Sequence, residues 1–344
     1  MKTRNFTTAM VLIFAISLQK ADAKILRVGF AGIPAITGTD FPNLQSAHDA
    51  ANVGDSIYIF PGVWSATITK KCSFFSYGYS ASALDSGIQN ITGTINVSAS
   101  LNPGSTGTSF RGIDGLIVGV NTADSVLIDR CNIAQLYFNA YPSPIPPFKD
   151  WTITRSILNS LSIHQYNNAY IYASLTSFNI SNCIINYFYF GGSTSGSSSG
   201  ILSNNIFSGT TNYTNFNNCL FSCSNNVFLC PNLLNGTAAV FQNNVATTNI
   251  IPASGNIINA VAGSIFVGYP TQGSYSADGR YVLSAGSPAK GAGNGGTDCG
   301  IFGGNNSYVL GGIPQIPSFY KLTAPTNNPS SSPYPITFSV KSNN

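Results

Sequence analysis

Only 8% of the 344 residues are charged, against roughly 25% in an average soluble domain, so the polar surface must come from Asn, Ser, Thr and Tyr. The formal net charge is +4, and removing Lys2, Arg4, Lys20 and Asp22 with the leader described next lowers it by two, which excludes the strongly basic balance of a nucleic-acid binder. Every acidic residue is Asp, so any mechanism that requires Glu is excluded.

The N-terminus reads as an export signal. Lys2 and Arg4 form a basic start, Ala9–Leu18 is a short apolar run, and Ala21-Asp22-Ala23 is a small-x-small cleavage site. The apolar run is too short to span a bilayer, and no second such span follows. The expected mature product starts near Lys24, is secreted or held at the cell surface, and does not cross a membrane.

Lys24–Gly38 reads as an entry strand. Phe41–Ala51 is the best helix candidate, with Leu44, Ala47, Ala50 and Ala51 on one face and Asn43 as its cap. Gly54-Asp55 turns the chain into the alternating strand Ser56–Phe60, which Pro61-Gly62 stops. The segment LQSAHDAANVGDSIYIFPGVW (44–64) resembles the N-terminal cap of secreted right-handed parallel β-helix proteins, the pectate-lyase-like superfamily. That resemblance implies a short helix over the open end of a coil. It carries no implication of activity, because the cap holds no chemistry.

Further strands are expected at Ser73–Tyr77, Ile91–Val97 and Ile113–Val118. Then a phrase recurs: VLIDRCNI (126–133), WTITRSIL (151–158), FNISNCII (178–185), ILSNNIF (201–207), TNFNNCLF (214–221) and AAVFQNNVA (238–246). Its first polar residue falls at Arg130, Arg155, Asn182 and Asn204. A repeat of this length, whose units cannot bury a face alone, implies a solenoid. Aligned, one inward column holds Ile128, Ile153, Ile180, Leu202 and Phe216, and another Ile133, Leu158, Ile185, Phe207 and Phe221. Leu136, Leu161 and Phe188 form a third, and Phe138, Ile163 and Phe190 a fourth. Tyr137, Ser162 and Tyr189 alternate outward between them. The Asn column suits a turn, since Asn tolerates left-handed backbone angles. Asn218 and Asn225 follow at 14 and a further 7 residues, which sum to about one more turn, as if two further sides of a three-sided coil carried the same phrase. The Pro-rich Tyr141–Phe148 and the Gly/Ser-rich Gly191–Gly200 are loops inserted between rungs.

The seven cysteines are an odd number, so at least one lacks an internal partner. Cys131, Cys183 and Cys219 share a slot of the phrase, which reads as stacked small core residues. No spacing among the cysteines suits zinc, so no metal site is expected.

The segment DGRYVLSAGSPAKGAGNGGTDCGIFGG (278–304) resembles the closing segment of secreted β-helix proteins. With Tyr308–Tyr320 it is most similar to Bacteroidetes-type surface proteins of unassigned function. The expected fold is therefore all-β, a single-stranded right-handed parallel β-helix with a short N-terminal cap helix. The expected plan is a signal peptide at 1–23, a β-helix domain at 24–322 with cap 41–64 and closing segment 265–322, and a Pro/Ser/Asn-rich tail at 323–344.

No catalytic signature dominates. A polysaccharide lyase on this scaffold needs a cation or cationic side chain to neutralise a uronate and a base to take its proton. The best constellation is Asp129, Arg130 and Arg155, with Lys149, Asp150 and His164 nearby in sequence. The plainer reading places both arginines at the solvent edge of the Asn column, with Asp129 offsetting their charge. Calcium enters only under the lyase reading, and Asp114, Asp124 and Asp129 are the densest run for it. No Asp lies between Asp150 and Asp278, so most of the repeats lack a carboxylate for two-carboxylate hydrolysis. His48 reads as a half-buried helix residue and GAGNGG (291–296) as a turn. Outward Tyr137, Tyr189, Tyr170 and Tyr172 form the candidate surface for stacking sugar rings. The sequence favours a non-enzymatic surface or matrix protein with a glycan as partner, and the alternative is a lyase or hydrolase of an acidic glycan.

Overall fold

The computed structural model describes residues 23–29, 36–79, 95–138, 148–163, 175–189, 198–209, 214–216, 219–234, 239–313, 318–323 and 337–341. The leader expected at 1–23 lies outside them, except for its last residue.

Two long sheets, each wholly parallel, dominate the chain. The first has eleven strands and runs from Asp40–Phe41 and Ile25–Val28 through Ser56–Ile59, Ser73–Phe75, Ser109–Arg111, Leu127–Asp129, Thr152–Thr154 and Phe178–Ser181 to Ser198–Ser203, Cys219–Ser224 and Val240–Gln242. The second has thirteen strands and begins with Gly62–Ile68, Ile95–Leu101, Leu116–Val120 and Asn132–Phe138. Consecutive segments of the chain alternate between the two sheets, so the backbone winds as a solenoid. Inward residues of successive turns stack about 4.8 Å apart.

After Asn132–Phe138 the second sheet forks. One branch continues as Ile157–Leu158, Ile184–Ile185, Ile206–Phe207, Val227–Phe228 and Val245–Ala246, the other as Leu161–Ile163, Phe188–Tyr189, Thr214–Asn215 and Leu233–Leu234. The bend between branches is held by a side-chain ladder. Asn159 donates to Asn132 and Asn186 donates to Asn159, each at 2.8 Å. Each later turn therefore has three faces where earlier turns have two.

The polar slot of the phrase is a left-handed turn. Arg130, Arg155, Asn182, Asn204, Asn225 and Asn243 all have φ between 49° and 57°, and Gly112 and Gly255 continue the column at 64° and 72°. The next residue points inward. There buried Asn205, Asn226 and Asn244 and half-buried Asn256 form an amide ladder, with Nδ2 to Oδ1 distances of 3.1, 3.0 and 2.9 Å. Each Asn oxygen from Asn226 onward also accepts the backbone N–H of the turn before it. No hydrogen-bonding group of the ladder is wasted, which is the condition for burying amides at all.

The expected columns hold through Leu202 and Phe207, then slip. Leu202 pairs with Cys223 and then Phe241, and Phe207 with Phe228 and then Ala246. Phe216 and Phe221 are buried but occupy other positions, and Phe221 faces Gly200. Cys219 pairs with Ser198, so it does not share the slot of Cys131 and Cys183. The rung is Cys223–Phe228, and Asn225 lies one full turn from Asn204, as their 21-residue spacing expects. Asn225 sits where the left-handed turn is needed, and Asn218 lies outside the described residues. All seven cysteines are buried.

The helix Leu44–Ala50 is capped by the Asn43 side chain, which accepts from Ser46 N–H at 2.8 Å. Leu44 and Ala47 join the core. Gln45 accepts the N–H of Thr67 at 2.8 Å, and His48 Nε2 accepts that of Thr69 at 3.3 Å. The helix thus satisfies part of the edge strand Gly62–Ile68, a role that keeps an open sheet edge from pairing elsewhere. Lys70 Nζ donates to the carbonyls of His48, Asp49 and Ala51, the last turn of the helix.

Beyond the last turns the chain reverses and straps the outside of the coil. Residues 294–313 run back along the left-handed column. Asn225 Oδ1 accepts from Asn294 N–H, Asn204 donates to Asp298 O, Asn182 donates to Ile301 O and Gly303 O, and Asn306 donates to Thr154. Under the strap lies a second apolar cluster. Ile184, Ile206, Val227 and Val245 of one branch meet Ile265, Phe266, Ala289, Cys299, Ile301 and Tyr308. Asp278, 2% exposed, anchors it by accepting from Ser276, Gly279 N–H and Gly311 N–H. Ser318–Thr323 pairs antiparallel with Thr337–Lys341, across the boundary expected at 322.

Candidate functional site

The charged constellation forms where the first sheet turns into the second. Asp129 ends its strand, between Arg111 of the preceding turn and Thr154 of the next. Arg155 Nε and Nη2 donate to the two carboxylate oxygens of Asp129, both at 2.8 Å. This is the two-pronged geometry in which guanidinium binds carboxylate best. Arg130 Nε stands 3.9 Å from the same carboxylate, and Arg130 Nη1 donates to the Ile313 carbonyl of the strap at 2.5 Å.

Arg130 is only 1% exposed, so it is not at a solvent edge. The strap covers it. Burial, then the charge of Arg155, pull its guanidinium below the ordinary arginine value, while Asp129 pulls the other way. Arg155 retains modest exposure, with 12% of its side chain open. The structure therefore brings Asp129, Arg130 and Arg155 together, but with both carboxylate oxygens engaged by Arg155. His164 lies outside the described residues.

Tyr137 and Tyr189 do share an outward column. Tyr137 opposes Ser162, which opposes Tyr189. The tyrosines are two turns apart, about 10 Å, and both are half-buried. Tyr137 lies over Gly119, where a Cβ would come within 2.7 Å of the hydroxyl. Tyr187 and Tyr189 place their ring centroids 6.3 Å apart. Tyr170 and Tyr172 lie outside the described residues. The tyrosine column sits roughly 20 Å along the strand from Arg130, so it and the charged cluster form separate surfaces.

The carboxylates considered for calcium are each used elsewhere. Asp114 accepts from Asn132 and Gly115 N–H, and burial raises its pKa. Asp124 accepts from Lys149 N–H, and Asp129 is held by Arg155. Among the described residues no three His, Cys or Asp side chains form a group that could hold a metal ion. These residues do not fit a calcium site. The cysteine thiols are also poorly suited to chemistry. Burial pushes Cys72 up to about 11 and Cys183 and Cys219 up to about 12, so little thiolate exists near neutrality.

A second outward column escaped the repeat reading. Across the first sheet, Arg27, Tyr58, Phe75, Arg111 and Asp129 stand in register on successive strands. Tyr58 and Phe75 stack with centroids 5.2 Å apart and planes 19° apart. The Arg111 guanidinium lies 5.7 Å over the Phe75 ring. The signal was SFRGID (109–114), an earlier copy of the phrase with Gly112 in the turn slot and Arg111 one place ahead of it.

Among the described residues no helix is long and apolar enough to cross a membrane. No family model matches this chain, and neither the curated proteins nor the solved structures contain a match.

Proposed function

We propose that the chain is a secreted, non-enzymatic right-handed parallel β-helix that serves at the cell surface or in an extracellular matrix and binds glycans on its outer faces. In this reading the leader 1–23 is removed and the helix Leu44–Ala50 caps the N-terminal end. The observation that carries it is the state of the charged wall. The best acid–base candidate, Asp129, spends both oxygens on Arg155, and Arg130 is sealed under the strap. A base must lie within reach of the proton it takes, and the Asp129 side chain, bridged by Arg155, is only 5% exposed.

The uncharged outer columns of Tyr, Ser and Asn offer ring faces and hydrogen-bond partners to sugars instead. The competing reading is a lyase or hydrolase of an acidic glycan centred on Arg155. Incubation with a panel of uronate polysaccharides, followed by ultraviolet absorbance of the unsaturated product, separates the two. No turnover together with binding on a glycan array is the expected result. Turnover that vanishes in Arg155→Ala would overturn the proposal.

A further inference from the structure

Three arginines, Arg111, Arg130 and Arg155, lie on consecutive turns beside a single carboxylate, that of Asp129. Asp129 is fully engaged by Arg155, and Arg130 is served by the strap carbonyl of Ile313. Arg111 is different. Among the described residues it forms no ion pair, and its Nε is buried with no hydrogen-bond partner. Its plane rests over Phe75, which stacks on Tyr58, and its side chain is half-buried on the outer face of the first sheet. The next cation along this column, Arg27, is already paired with Asp40 at 2.6 Å. Among the described residues, one carboxylate stands against three guanidinium groups here, and Arg111 is the one with neither an acidic nor a carbonyl partner for its side chain.

We propose that Arg111 binds an anionic substituent, a carboxylate or sulfate ester, of an extracellular saccharide, with Phe75 and Tyr58 supporting the guanidinium and meeting the sugar's apolar edge. This deepens the glycan-binding reading and rests on it, but assigns a site other than the tyrosine column. Arginine suits the task because its fork matches planar oxyanions and its face packs on aromatics. The excess positive charge around Asp129 then draws the anion in.

The test uses the full mature chain on beads carrying polygalacturonate, dextran sulfate or unmodified dextran, at low and high salt. The expected result is salt-sensitive retention on at least one charged polymer, and the polymer that retains it identifies carboxylate or sulfate. Arg111→Gln should weaken that retention about tenfold or more, while Lys290→Gln, which removes an exposed charge elsewhere, should leave it unchanged. Arg111→Lys keeps charge and stem and should lose part of the retention, which guards against a Gln variant that folds poorly. Equal retention of the Arg111 and Lys290 variants, or no retention on either charged polymer, overturns the proposal. Binding of unmodified dextran by wild type and Arg111→Gln alike would leave the glycan reading standing and sink this site. Retention on a charged polymer with no binding to dextran would support this site and place the glycan contact here rather than on the tyrosine column.

Discussion

The coil has two apolar interiors, and they differ in kind. Inside the solenoid, successive turns stack like on like: Phe207 on Phe228 with centroids 4.6 Å apart and planes 6° apart, Phe74 on Phe110 at 5.1 Å. Outside it, Ile184, Ile206, Val227 and Val245 are also buried, but against a strap with no repeat of its own. The first interior depends on periodicity. The second depends on one segment finding its seam, through Asn amides that donate to strap carbonyls. Damage to the first should therefore spread along the coil, whereas damage to the second should release the strap and leave the coil wound.

The largest effect should come from the inner stack. Phe207→Ala removes a fully buried ring and should cost about 3–5 kcal/mol, seen as a lower denaturation midpoint and loss of protection in the neighbouring turns. Ile301→Ala should cost about 2–5 kcal/mol of strap docking. The comparison predicts a different signature for it. Hydrogen exchange should accelerate over 294–313 while the amides of 201–207 keep their protection. Uniform acceleration in both regions would show that the two interiors are one cooperative unit. Asn226→Ala probes the polar element between them. It leaves the Asn205 backbone N–H and one of the two amide hydrogens of its side chain without an acceptor, a loss of about 1–3 kcal/mol per buried group, read by urea denaturation.

The same contrast explains what the sequence disclosed. Ile128, Ile153, Ile180 and Leu202 were legible because burial at every turn repeats a residue type at every turn. The third column through Leu136, Leu161 and Phe188 was legible for the same reason. The register slipped after Phe207 because Asn217-Asn218 imitates the turn that Asn225-Asn226 makes. The strap seam was not read, although its signal stood in the phrase. Adjacent apolar residues such as Ile184-Ile185, Ile206-Phe207 and Val227-Phe228 point to opposite faces of a strand, so a wall apolar on both faces must be covered on both. The covering segment itself carries Gly-rich turns rather than a period, and nothing in its spacing names its partners. Arg130 and Arg155 looked like departures from the Asn rule. Both keep the rule's backbone, a left-handed turn, and change only what the side chain reaches.

The smallest expected effect lies at the end of the coil farthest from the strap's start, where burial of a titratable group couples stability to pH. His48 is fully buried beneath the helix Leu44–Ala50. Burial, then the charge of Lys70, lowers its pKa from the ordinary histidine value, and Asp49 offsets only part of this. The folded protein therefore keeps His48 neutral, with Nε2 free to accept the Thr69 N–H. Below the unfolded value of about 6.5, the unfolded chain takes up a proton that the folded chain refuses. Stability is thus fully present above that pH and falls as pH drops from there through the folded value. His48→Gln retains an acceptor for Thr69 and removes the titration. Thermal unfolding between pH 7.5 and 5 should show the midpoint of the wild type falling more steeply than that of the variant. The only other histidine, His164, is common to both proteins and cancels in the difference. Parallel curves would mean that the helix end already opens in the native state, and that the helix satisfies the edge strand too loosely to exclude a proton.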